Sequence, residues 1–509
     1  MYWRVVKYAE PGMTENTSSD TAALEIAPYL SFRWNGRAFR AKAGDTIAAA
    51  LWRNGILQVG VSRKRHRPLG LSGAYLQGVL VQVNGIPHVR ADERAVAEGM
   101  DVVRQNAWPS ASFDLLNALR WLPASWTRGG FEQTMWFPSG TRRFGVWEKL
   151  LGFIAGEVHI DATSQRRRAP VPGERIDCDV VVVGAGPAGV LAANEARRVS
   201  STVVLVTRGR GACETASAFG VAPPPVDSGV TLLTSHQVTG IYRAGHVVLA
   251  TPLDPGKGAT VIVCRRLVLA QGKRSCPPLV PGQDLPGVLD AHSAISLARM
   301  LRGEFGASVV VGTGKEELVA NTLRRHGVRV VASGPVRDLE RVAGSHRVRA
   351  VLLHGRRVSC QVLVHAGPWR TDPALQFQAC ATGTLRLAEH GLPRQVELVG
   401  AAAEADEPYR VGSLESAAGV AVCPCMDVTV GELLAAANCG QDHPEELKRR
   451  TSCGMGPCQG FPCWEAMEAV LQQVTGTAGL SGRPAHRPPR RGVTVDQAAG
   501  LEGLLELDP

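Results

Sequence analysis

The amino-acid sequence predicts an α/β protein of several domains, and three observations support this. A glycine-rich turn separates a run of valines from a helix-forming segment within residues 178–206. The same strand–turn–helix–strand plan recurs at residues 308–334. Six of the twelve cysteines lie within residues 423–463, whereas the first 177 residues contain none. A chain of 509 residues also exceeds what one hydrophobic core usually covers, so two or three domains are expected.

Composition narrows the class of protein. Hydrophobic residues make up 45% and charged residues 20% of the chain, which is typical of a globular protein and excludes wholesale disorder. The net charge of +10 comes from scattered arginines, a distribution that argues against a nucleic-acid partner. No apolar run approaches the ~20 residues of a membrane span, and the first residues lack the apolar core of a signal peptide. We therefore expect a cytoplasmic protein without a transmembrane segment.

The N-terminal region shows the start of a β-grasp ferredoxin-like domain. Alternating apolar residues flank Asn35-Gly36, a pair typical of a type I′ hairpin turn. A helix is expected to begin near Asp45 or Thr46 and to end at Gly55. A plant-type ferredoxin domain would carry its own cysteine ligands, but this one has none. The loop after the helix instead carries a basic run over 62–68, which either docks an anionic partner or is simply solvated.

The first glycine loop predicts a dinucleotide site. Gly184 permits the tight turn after a buried strand, Gly186 lets the backbone approach a pyrophosphate, and Gly189 lets the helix pack closely against the strand. The alternative is a glycine turn that serves packing alone. The next strand ends in Thr207-Arg208, where an acidic residue usually binds the ribose, so Arg208 either faces a phosphate or the ribose is held differently. Candidate cofactor-binding residues are Gly184, Gly186, Pro187, Ala188, Gly189, Thr207, Arg208, Gly272 and Gly400.

A second glycine loop, over residues 312–317, leaves its role open. It lacks the third glycine, and Glu317 beside a pyrophosphate would be unfavourable unless it points away. The loop either binds a second nucleotide or belongs to a duplicated fold that is kept as structure.

The cysteine cluster predicts a metal centre. Cys423 and Cys425 form a C-x-C pair, and Cys453 and Cys458 form a C-x4-C pair after a predicted helical hairpin, which opens with a capping box at Thr429. Four thiolates suit either a [2Fe–2S] cluster or structural Zn²⁺. Zinc sites favour C-x2-C spacings, so these spacings, in a chain that also binds a redox dinucleotide, favour iron–sulfur over zinc or free thiols. Cys439 and Cys463 are expected to be bystanders.

These motifs together resemble one family. FRWNGRAFRAKAGDTIAAALWRNGI, VVVVGAGPAGVLAA, CPCMDVTVGEL and TSCGMGPCQGFPC are similar to segments of the α (large) subunit of the sarcosine oxidase, opine oxidase, hydroxyproline dehydrogenase and hydrogen cyanide synthase group. The last two resemble the bacterioferritin-associated-ferredoxin-like [2Fe–2S] domain, whose ligands would be Cys423, Cys425, Cys453 and Cys458. The resemblance implies FAD or NAD at the first glycine loop. It also implies a pyridine-nucleotide-disulfide-oxidoreductase-like Rossmann-type domain followed by a small helical [2Fe–2S] domain.

The expected organisation has six parts. They are a flexible tail (1–27), the β-grasp domain (28–110), a connecting segment and linker (111–176), the FAD/NAD(P)-binding domain (177–420), the [2Fe–2S] domain (421–480) and an Arg/Pro-rich tail (481–509).

The function implied by the resemblance is electron transfer in a multi-subunit amine or imino-acid dehydrogenase or oxidase. A flavin-containing β subunit would oxidise the substrate, and a small additional subunit is expected as a further partner. No catalytic acid or base is assigned, because His66, His292 and His365 each stand without a paired carboxylate in sequence, and core or surface roles are expected for them. Two alternatives remain: a stand-alone NAD(P)H-dependent reductase, with Arg208 on a 2′-phosphate, or a non-catalytic scaffold subunit.

Overall fold

The computed structural model describes most of the chain between residues 28 and 504. The described residues are 28–62, 65–71, 80–105, 108–110, 113–121, 149, 152, 169–254, 256–380, 392–409, 411–440, 443–456, 458–476, 484 and 486–504. The predicted tail at 1–27 and most of the connecting segment at 111–176 lie outside them. No helix in the described ranges is long and apolar enough to cross a membrane.

The N-terminal domain is a five-stranded sheet with one helix packed on it. Its sheet order is β2-β1-β7-β5-β6, with β1 and β7 parallel. The turn at Asn35-Gly36 has positive φ at both residues (50° and 80°), so the predicted hairpin is confirmed. The elements are β1 (Tyr29–Trp34), β2 (Arg37–Lys42), α1 (Ile47–Arg53), β3 (Gln58–Val61), β4 (Pro68–Gly70), β5 (Leu80–Val83), β6 (Ile86–Arg90), β7 (Met100–Arg104), β8 (Pro109–Ser110) and β9 (Phe113–Asp114).

Helix α1 forms where the sequence places it. Its N-cap is Thr46, whose hydroxyl accepts a hydrogen bond from the Ala49 amide at 3.2 Å. Gly55 follows the C-cap with φ +76°, a left-handed conformation that favours glycine. The helix buries an alanine-rich face together with Ile47 and Leu51 against the sheet.

The second domain begins with the predicted strand–turn–helix–strand unit. Its parallel strands continue in the order β12-β11-β10-β15, and β14 and β13 extend the sheet antiparallel. The strand valines are buried because the sheet is covered on both faces, as a Rossmann-type fold requires. The elements are β10 (Glu174–Val183), α2 (Pro187–Val199), β11 (Val203–Val206), α3 (Glu214–Ala218), β12 (Val230–Leu233), β13 (His236–Tyr242), β14 (Val247–Pro252) and β15 (Thr260–Leu269).

A second parallel sheet, in the order β17-β23-β18-β19, repeats this plan, so the predicted duplication is confirmed. A three-stranded meander and a short two-stranded ribbon of β16 and β24 accompany this sheet. The final strand of this domain, β25, pairs with β15 of the first sheet. The elements are β16 (Arg274–Ser275), β17 (Val288–Asp290), α4 (Ala291–Leu301), β18 (Ser308–Gly312), α5 (Glu316–Arg325), β19 (Val330–Pro335), β20 (Leu339–Ala343), β21 (Ala350–Leu353), β22 (Arg356–Ser359), β23 (Val362–Ala366), β24 (Trp369–Arg370), α6 (Ala374–Ala379) and β25 (Val396–Leu398).

The C-terminal part is a small helical domain. The predicted capping box is confirmed, because the Thr429 hydroxyl accepts from the Glu432 amide while the Glu432 carboxylate accepts from the Thr429 amide. Pro444 occupies the first turn of the next helix, as expected. The elements are β26 (Ala421–Cys423), β27 (Val428–Thr429), α7 (Val430–Ala437), α8 (Pro444–Thr451), α9 (Cys463–Thr475) and α10 (Val495–Ala499).

Residues 486–504, in the segment predicted as an Arg/Pro-rich tail, pack against the body of the protein. Arg490 forms an ion pair with Asp372, and Arg491 reaches Glu93 at 2.7 Å. The Gln497 side chain donates to the Lys257 carbonyl at 2.8 Å. This segment therefore contacts both the N-terminal domain and the first Rossmann unit.

Candidate functional site

The first glycine loop has the geometry that its sequence predicts. Gly184 has φ +105°, and a Cβ there would lie 2.4 Å from the Ala270 carbonyl oxygen. A Cβ on Gly189 would lie 1.8 Å from the Gly184 carbonyl oxygen, so only glycine lets the helix approach the strand this closely. A Cβ on Gly186, by contrast, would have no atom within 4 Å. Two glycines are thus needed by packing, and the third faces open space at the N-terminus of α2.

The other candidate cofactor residues surround this loop. Pro187, Thr207 and Gly272 line the same cavity as Gly184 and Gly186. Ala188 and Gly400 are close to each other, because a Cβ on Gly400 would lie 2.5 Å from the Ala188 Cβ. Gly400 therefore permits a close approach to the start of α2, and its neighbour Ala401 lines the cavity.

The cavity is large and is shared between domains. Its volume is about 1890 Å³, above the ~300–1,000 Å³ of a typical small-molecule pocket. The N-terminal domain contributes residues 42–46 and 92–95, the first Rossmann unit contributes the glycine loop, and the second unit contributes His292 and Lys315. An extended ligand bound at the glycine loop would therefore contact all three units.

Arg208 is held by an acidic partner from another domain. Its guanidinium contacts Glu93 at 2.8 Å, and Arg491 contacts the same carboxylate oxygen at 2.7 Å. The sequence predicts a phosphate contact as one role for Arg208. In the structure, the Glu93 carboxylate in the cavity wall would compete with a phosphate for the Arg208 guanidinium. Sequence alone could not identify Glu93, because it lies in a different domain.

The lining of the cavity includes buried polar atoms without a protein partner among the described residues. They are the Gln271 Oε1, the His292 Nδ1 and the Trp369 Nε1 atoms. The Lys315 ammonium lies 5.1 Å from the centre of the Trp369 ring, and His292 packs edge-on against that ring. Burial and the nearby Arg274 lower the pKa of His292 to about 4, so the imidazole is neutral near pH 7. Unsatisfied buried donors and acceptors of this kind suit a polar ligand.

The three histidines considered in the sequence have different environments. Folding brings His66 to Asp114, with 2.6 Å between Nδ1 and Oδ2, although the two are distant in sequence. Both side chains are buried, at 0% and 4% exposure, so this pair belongs to the core. His365 is also buried and its Nδ1 contacts the Ser275 hydroxyl at 2.5 Å. Of the three, only His292 lines the cavity.

The second glycine loop is occupied by its own side chain. The Glu316 carboxylate accepts a hydrogen bond from the Gly314 amide at 2.6 Å, in the place where a phosphate would bind. Glu317 points away, since its carboxylate accepts from the Ser333 hydroxyl and faces Arg324 at 3.7 Å. This arrangement favours the structural interpretation of the second loop.

The thiols of the C-terminal domain converge in its core. Cys423, Cys425 and Cys458 have sulfur atoms within 4.8 Å of one another, and all three are buried. The Gly454 amide donates to the Cys423 sulfur at 3.3 Å. Hydrogen bonds from neighbouring thiols, first from Cys425, hold the pKa of Cys423 well below its usual range, which favours a thiolate.

Cys463, which is predicted from the sequence to be a bystander, also lies beside these thiols. The Cys463 sulfur lies 3.3 Å from the Cys458 sulfur, at the start of α9. The Cys453 sulfur is also buried and contacts the Cys463 carbonyl oxygen at 3.9 Å. Cys458 and Cys463 have the same C-x4-C spacing as Cys453 and Cys458. This repeated spacing is the sequence signal that could have identified Cys458 and Cys463 as an alternative ligand pair. Cys439 is exposed, as expected of a bystander.

The cluster domain is also joined to the cavity by the β16–β24 ribbon. Arg274 and Trp369 on this ribbon line the cavity. The next residue, Arg370, contacts Glu465 of α9 at 2.5 Å, and Glu465 follows Cys463 by two residues. Directly after the other strand, Cys276 is buried in the hydrophobic core of the cluster domain. Nothing in the sequence pairs Arg370 with Glu465, because each is an isolated charge in its own element.

Comparison with known families defines the class. Residues 27–107 match the 2Fe-2S iron-sulfur cluster binding domain family, residues 178–342 the pyridine nucleotide-disulphide oxidoreductase family, and residues 421–473 the BFD-like [2Fe-2S] binding domain family. The chain thus combines a ferredoxin-like domain, a domain of the pyridine nucleotide-disulphide oxidoreductase type and a C-terminal BFD-like domain. The ferredoxin-like domain has no cysteine, so of the two 2Fe-2S domain types only the C-terminal one can supply thiolate ligands to a cluster.

Individual relatives make the class more specific. The chain is 28% identical to the sarcosine oxidase alpha subunit of Rhizobium meliloti (strain 1021), over 80% of this chain and 45% of the relative. It is 36% identical to an opine oxidase subunit of the same organism, over 17% of this chain and 19% of the relative. The predicted resemblance to these large subunits is confirmed. The chain spans less than half the length of the first of these relatives.

A solved structure confirms the fold over nearly the whole chain. The L-proline dehydrogenase from P. horikoshii superposes with a TM-score of 0.68 at 20% identity, covering 93% of this chain and 98% of that one. The predicted α/β fold, with its three domain types, is therefore confirmed.

The residues present fit the two groups that these families bind. At the cluster, the buried thiols accept an amide hydrogen bond, and a Cβ on Gly456 would lie 2.7 Å from the Cys425 sulfur, so glycine keeps this space open. At the cavity, the open Gly186 and the lining polar atoms that have no partner in the described part of the chain suit a large polar ligand.

Proposed function

We propose that this chain is the electron-transfer subunit of a multi-subunit amine or imino-acid dehydrogenase or oxidase. The substrate, of the sarcosine, opine, proline or hydroxyproline type, would be oxidised at a flavin in a partner β subunit. The similarity to sarcosine oxidase and opine oxidase subunits supports the amine class, and a subunit role agrees with that similarity.

The observation that carries this proposal is the β16–β24 ribbon. A relay needs its two redox groups to be held by one rigid element, because electron transfer depends on a fixed distance between them. Trp369 and Arg274 of the ribbon line the cavity, while Arg370 of the ribbon and Cys276, which directly follows it, contact the cluster domain. A scaffold subunit would have no need for this connection.

The cavity residues would hold the dinucleotide, FAD or NAD. The amides at the N-terminus of α2 would face its pyrophosphate, with Gly186 giving the backbone room to approach. Gln271, beside the glycine loop, and His292 and Trp369, elsewhere in the cavity lining, would bind further polar atoms of the ligand. The pairing of Arg208 with Glu93 weakens the alternative of a reductase specific for a 2′-phosphate.

The thiols would hold a [2Fe–2S] cluster, which supplies one-electron transfer when it is bound. Cys423, Cys425 and Cys458 are proposed as three ligands because their sulfur atoms converge. For the fourth ligand the sequence favours Cys453, and the 3.3 Å contact with Cys458 favours Cys463. The backbone amide of Gly454 would stabilise thiolate charge at Cys423.

The test begins with the full-length chain purified anaerobically. We expect about two irons and two acid-labile sulfides per chain, together with a dinucleotide that is released on denaturation. Stoichiometric zinc without iron would contradict the cluster. Because no substrate acid–base pair is evident among the described residues, the chain alone should not oxidise sarcosine, proline, hydroxyproline or an opine. Turnover of any of these by the chain alone would contradict the relay role.

A further inference from the structure

The basic loop of the N-terminal domain is docked on the cluster-binding loop. It joins β3 to β4, in the domain that matches a 2Fe-2S family but has no cysteine. The backbone amide of Arg65 donates to the Asp427 Oδ2 atom at 3.1 Å, and the Arg67 Nε donates to the Asp427 Oδ1 atom at 2.8 Å. Asp427 follows Cys425 by two residues. Both carboxylate oxygens next to the cluster ligands are therefore bound by another domain.

The contact is buried and well defined. The Asp427 side chain is 0% exposed, and that of Arg67 is 20% exposed. Asp427 has φ +57°, a left-handed conformation that aspartate tolerates better than most residues. Because this residue links the two strands that carry the cysteine loop, a fixed Asp427 carboxylate also fixes the path of that loop.

Positively and negatively charged side chains are nearly balanced in number at this contact. Arg67 also contacts Asp284 at 3.2 Å, and Arg65 contacts Glu432 at 3.4 Å. Two positive side chains thus face three carboxylates beside the thiols. Although burial lowers it, Asp284 and Asp427 raise the pKa of Arg67 overall, so its charge is permanent. Removal of one positive charge would leave three carboxylates facing a single arginine.

We propose that Arg67 is a positioning residue for the metal centre: it fixes the Cys425–Asp427 segment across the domain boundary and its charge raises the reduction potential of the bound cluster. The ferredoxin-like domain, which has no ligands of its own, would then tune the centre of a neighbouring domain. This inference rests on the cluster in the proposed function. Net charge near a cluster is one of the determinants of its potential, because reduction adds a negative charge.

The experiment compares the reduction potential of the cluster in matched full-length variants. Arg67→Gln removes the charge, and Arg67→Lys keeps it but loses the planar geometry. Arg266→Gln is the control, since Arg266 forms an exposed pair with Glu397 between strands of the dinucleotide-binding sheet. Iron is measured first, and the potential is then obtained by a redox titration followed by electron paramagnetic resonance.

At the midpoint potential of the wild type, Arg67→Gln should lower the ratio of reduced to oxidised cluster about tenfold, which corresponds to about 59 mV for one electron. Arg67→Lys should lie closer to the wild type, and Arg266→Gln should match it. A fully iron-loaded Arg67→Gln with the wild-type midpoint would overturn the proposal.

A double variant keeps the test decisive if Arg67→Gln loses iron. Arg67→Gln with Asp427→Asn removes both members of the pair and restores the original charge balance. We expect it to recover iron and a midpoint near that of the wild type. A double variant that keeps iron but has a midpoint well below that of the wild type would refute the role of charge, and a double variant that also lacks iron would contradict the expected recovery. Absence of iron from the wild type would refute the cluster itself, a separate result.

Discussion

Arg370 and Glu465 form an ion pair at 2.5 Å between the β16–β24 ribbon and the first turn of α9. The Glu465 side chain is 2% exposed, so its charge depends on this partner. The same ribbon carries Trp369 into the cavity wall, and the same helix begins with Cys463. One buried pair therefore connects the candidate nucleotide cavity to the candidate cluster.

Loss of Arg370 should destabilise the cluster domain. Arg370→Met removes the ion pair of the buried Glu465 carboxylate with Arg370, and breaking a buried ion pair typically costs about 3–5 kcal/mol. The free energy of unfolding in urea should fall by an amount of this order. Adding Glu465→Gln should recover part of the loss because the uncompensated charge is removed. Equal stability of Arg370→Met and the wild type would show that the pair contributes little.

Two glycines of the same loop should respond in opposite ways. Gly189→Ala places a Cβ 1.8 Å from a backbone oxygen, so it should cost at least about 1–3 kcal/mol through overpacking. Gly186→Val faces open space, so it should leave the urea midpoint nearly unchanged when both proteins are compared after removal of nucleotide, but it should abolish the bound dinucleotide. Stability and extracted nucleotide are measured on the same samples. Wild-type nucleotide content in Gly186→Val would mean that the loop is only a packing turn.

The fourth cluster ligand can be identified with serine variants. Cys423→Ser, Cys425→Ser and Cys458→Ser should each lose most of the iron, whereas the exposed Cys439→Ser should keep it. The sulfur contact predicts that Cys463→Ser loses more iron than Cys453→Ser. The reverse order would restore the assignment made from the sequence. Iron and sulfide content, with the visible spectrum, provide the measurement.

Lowering the pH should destabilise the protein because two buried histidines are neutral in the folded state. Burial lowers the pKa of both His292 and His365 to about 4, below the ~6.5 of an unfolded chain. The unfolded state then binds more protons between pH 6.5 and 4, so stability falls as the pH falls through this window. At pH 5 each histidine should contribute a loss of about 2 kcal/mol relative to pH 7.

His292→Gln isolates one of these contributions. It should lose less stability between pH 7 and pH 5 than the wild type does, by about 2 kcal/mol. Urea unfolding at the two pH values measures the difference, and any acid lability of the cluster is common to both proteins. Identical pH dependence in the two proteins would show that His292 does not carry the effect.

Local features of the fold could be predicted from the sequence because their causes are local. Asn35-Gly36 sets its own turn, and Thr429 with Glu432 closes a capping box within one helical turn. Gly189 could be assigned to packing because the strand–turn–helix context determines what surrounds it.

Long-range partners could not be predicted. Glu93 engages Arg208, and Asp427 engages Arg67, through the placement of whole domains. The choice between Cys453 and Cys463 is of the same kind, since their spacings to Cys458 are alike and only the path of the chain separates them.

The closing segment at residues 486–504 has a consequence for biosynthesis. Glu93 is translated long before Arg491, yet the two are paired in the finished protein, and Arg490 lines the cavity. Domains generally fold in the order in which they leave the ribosome. The N-terminal and Rossmann units can therefore form early, but the cavity wall is complete only after the last of these residues has emerged. A nascent chain stalled before residue 486 would therefore lack Arg490 in the cavity wall and the Arg491 contact with Glu93.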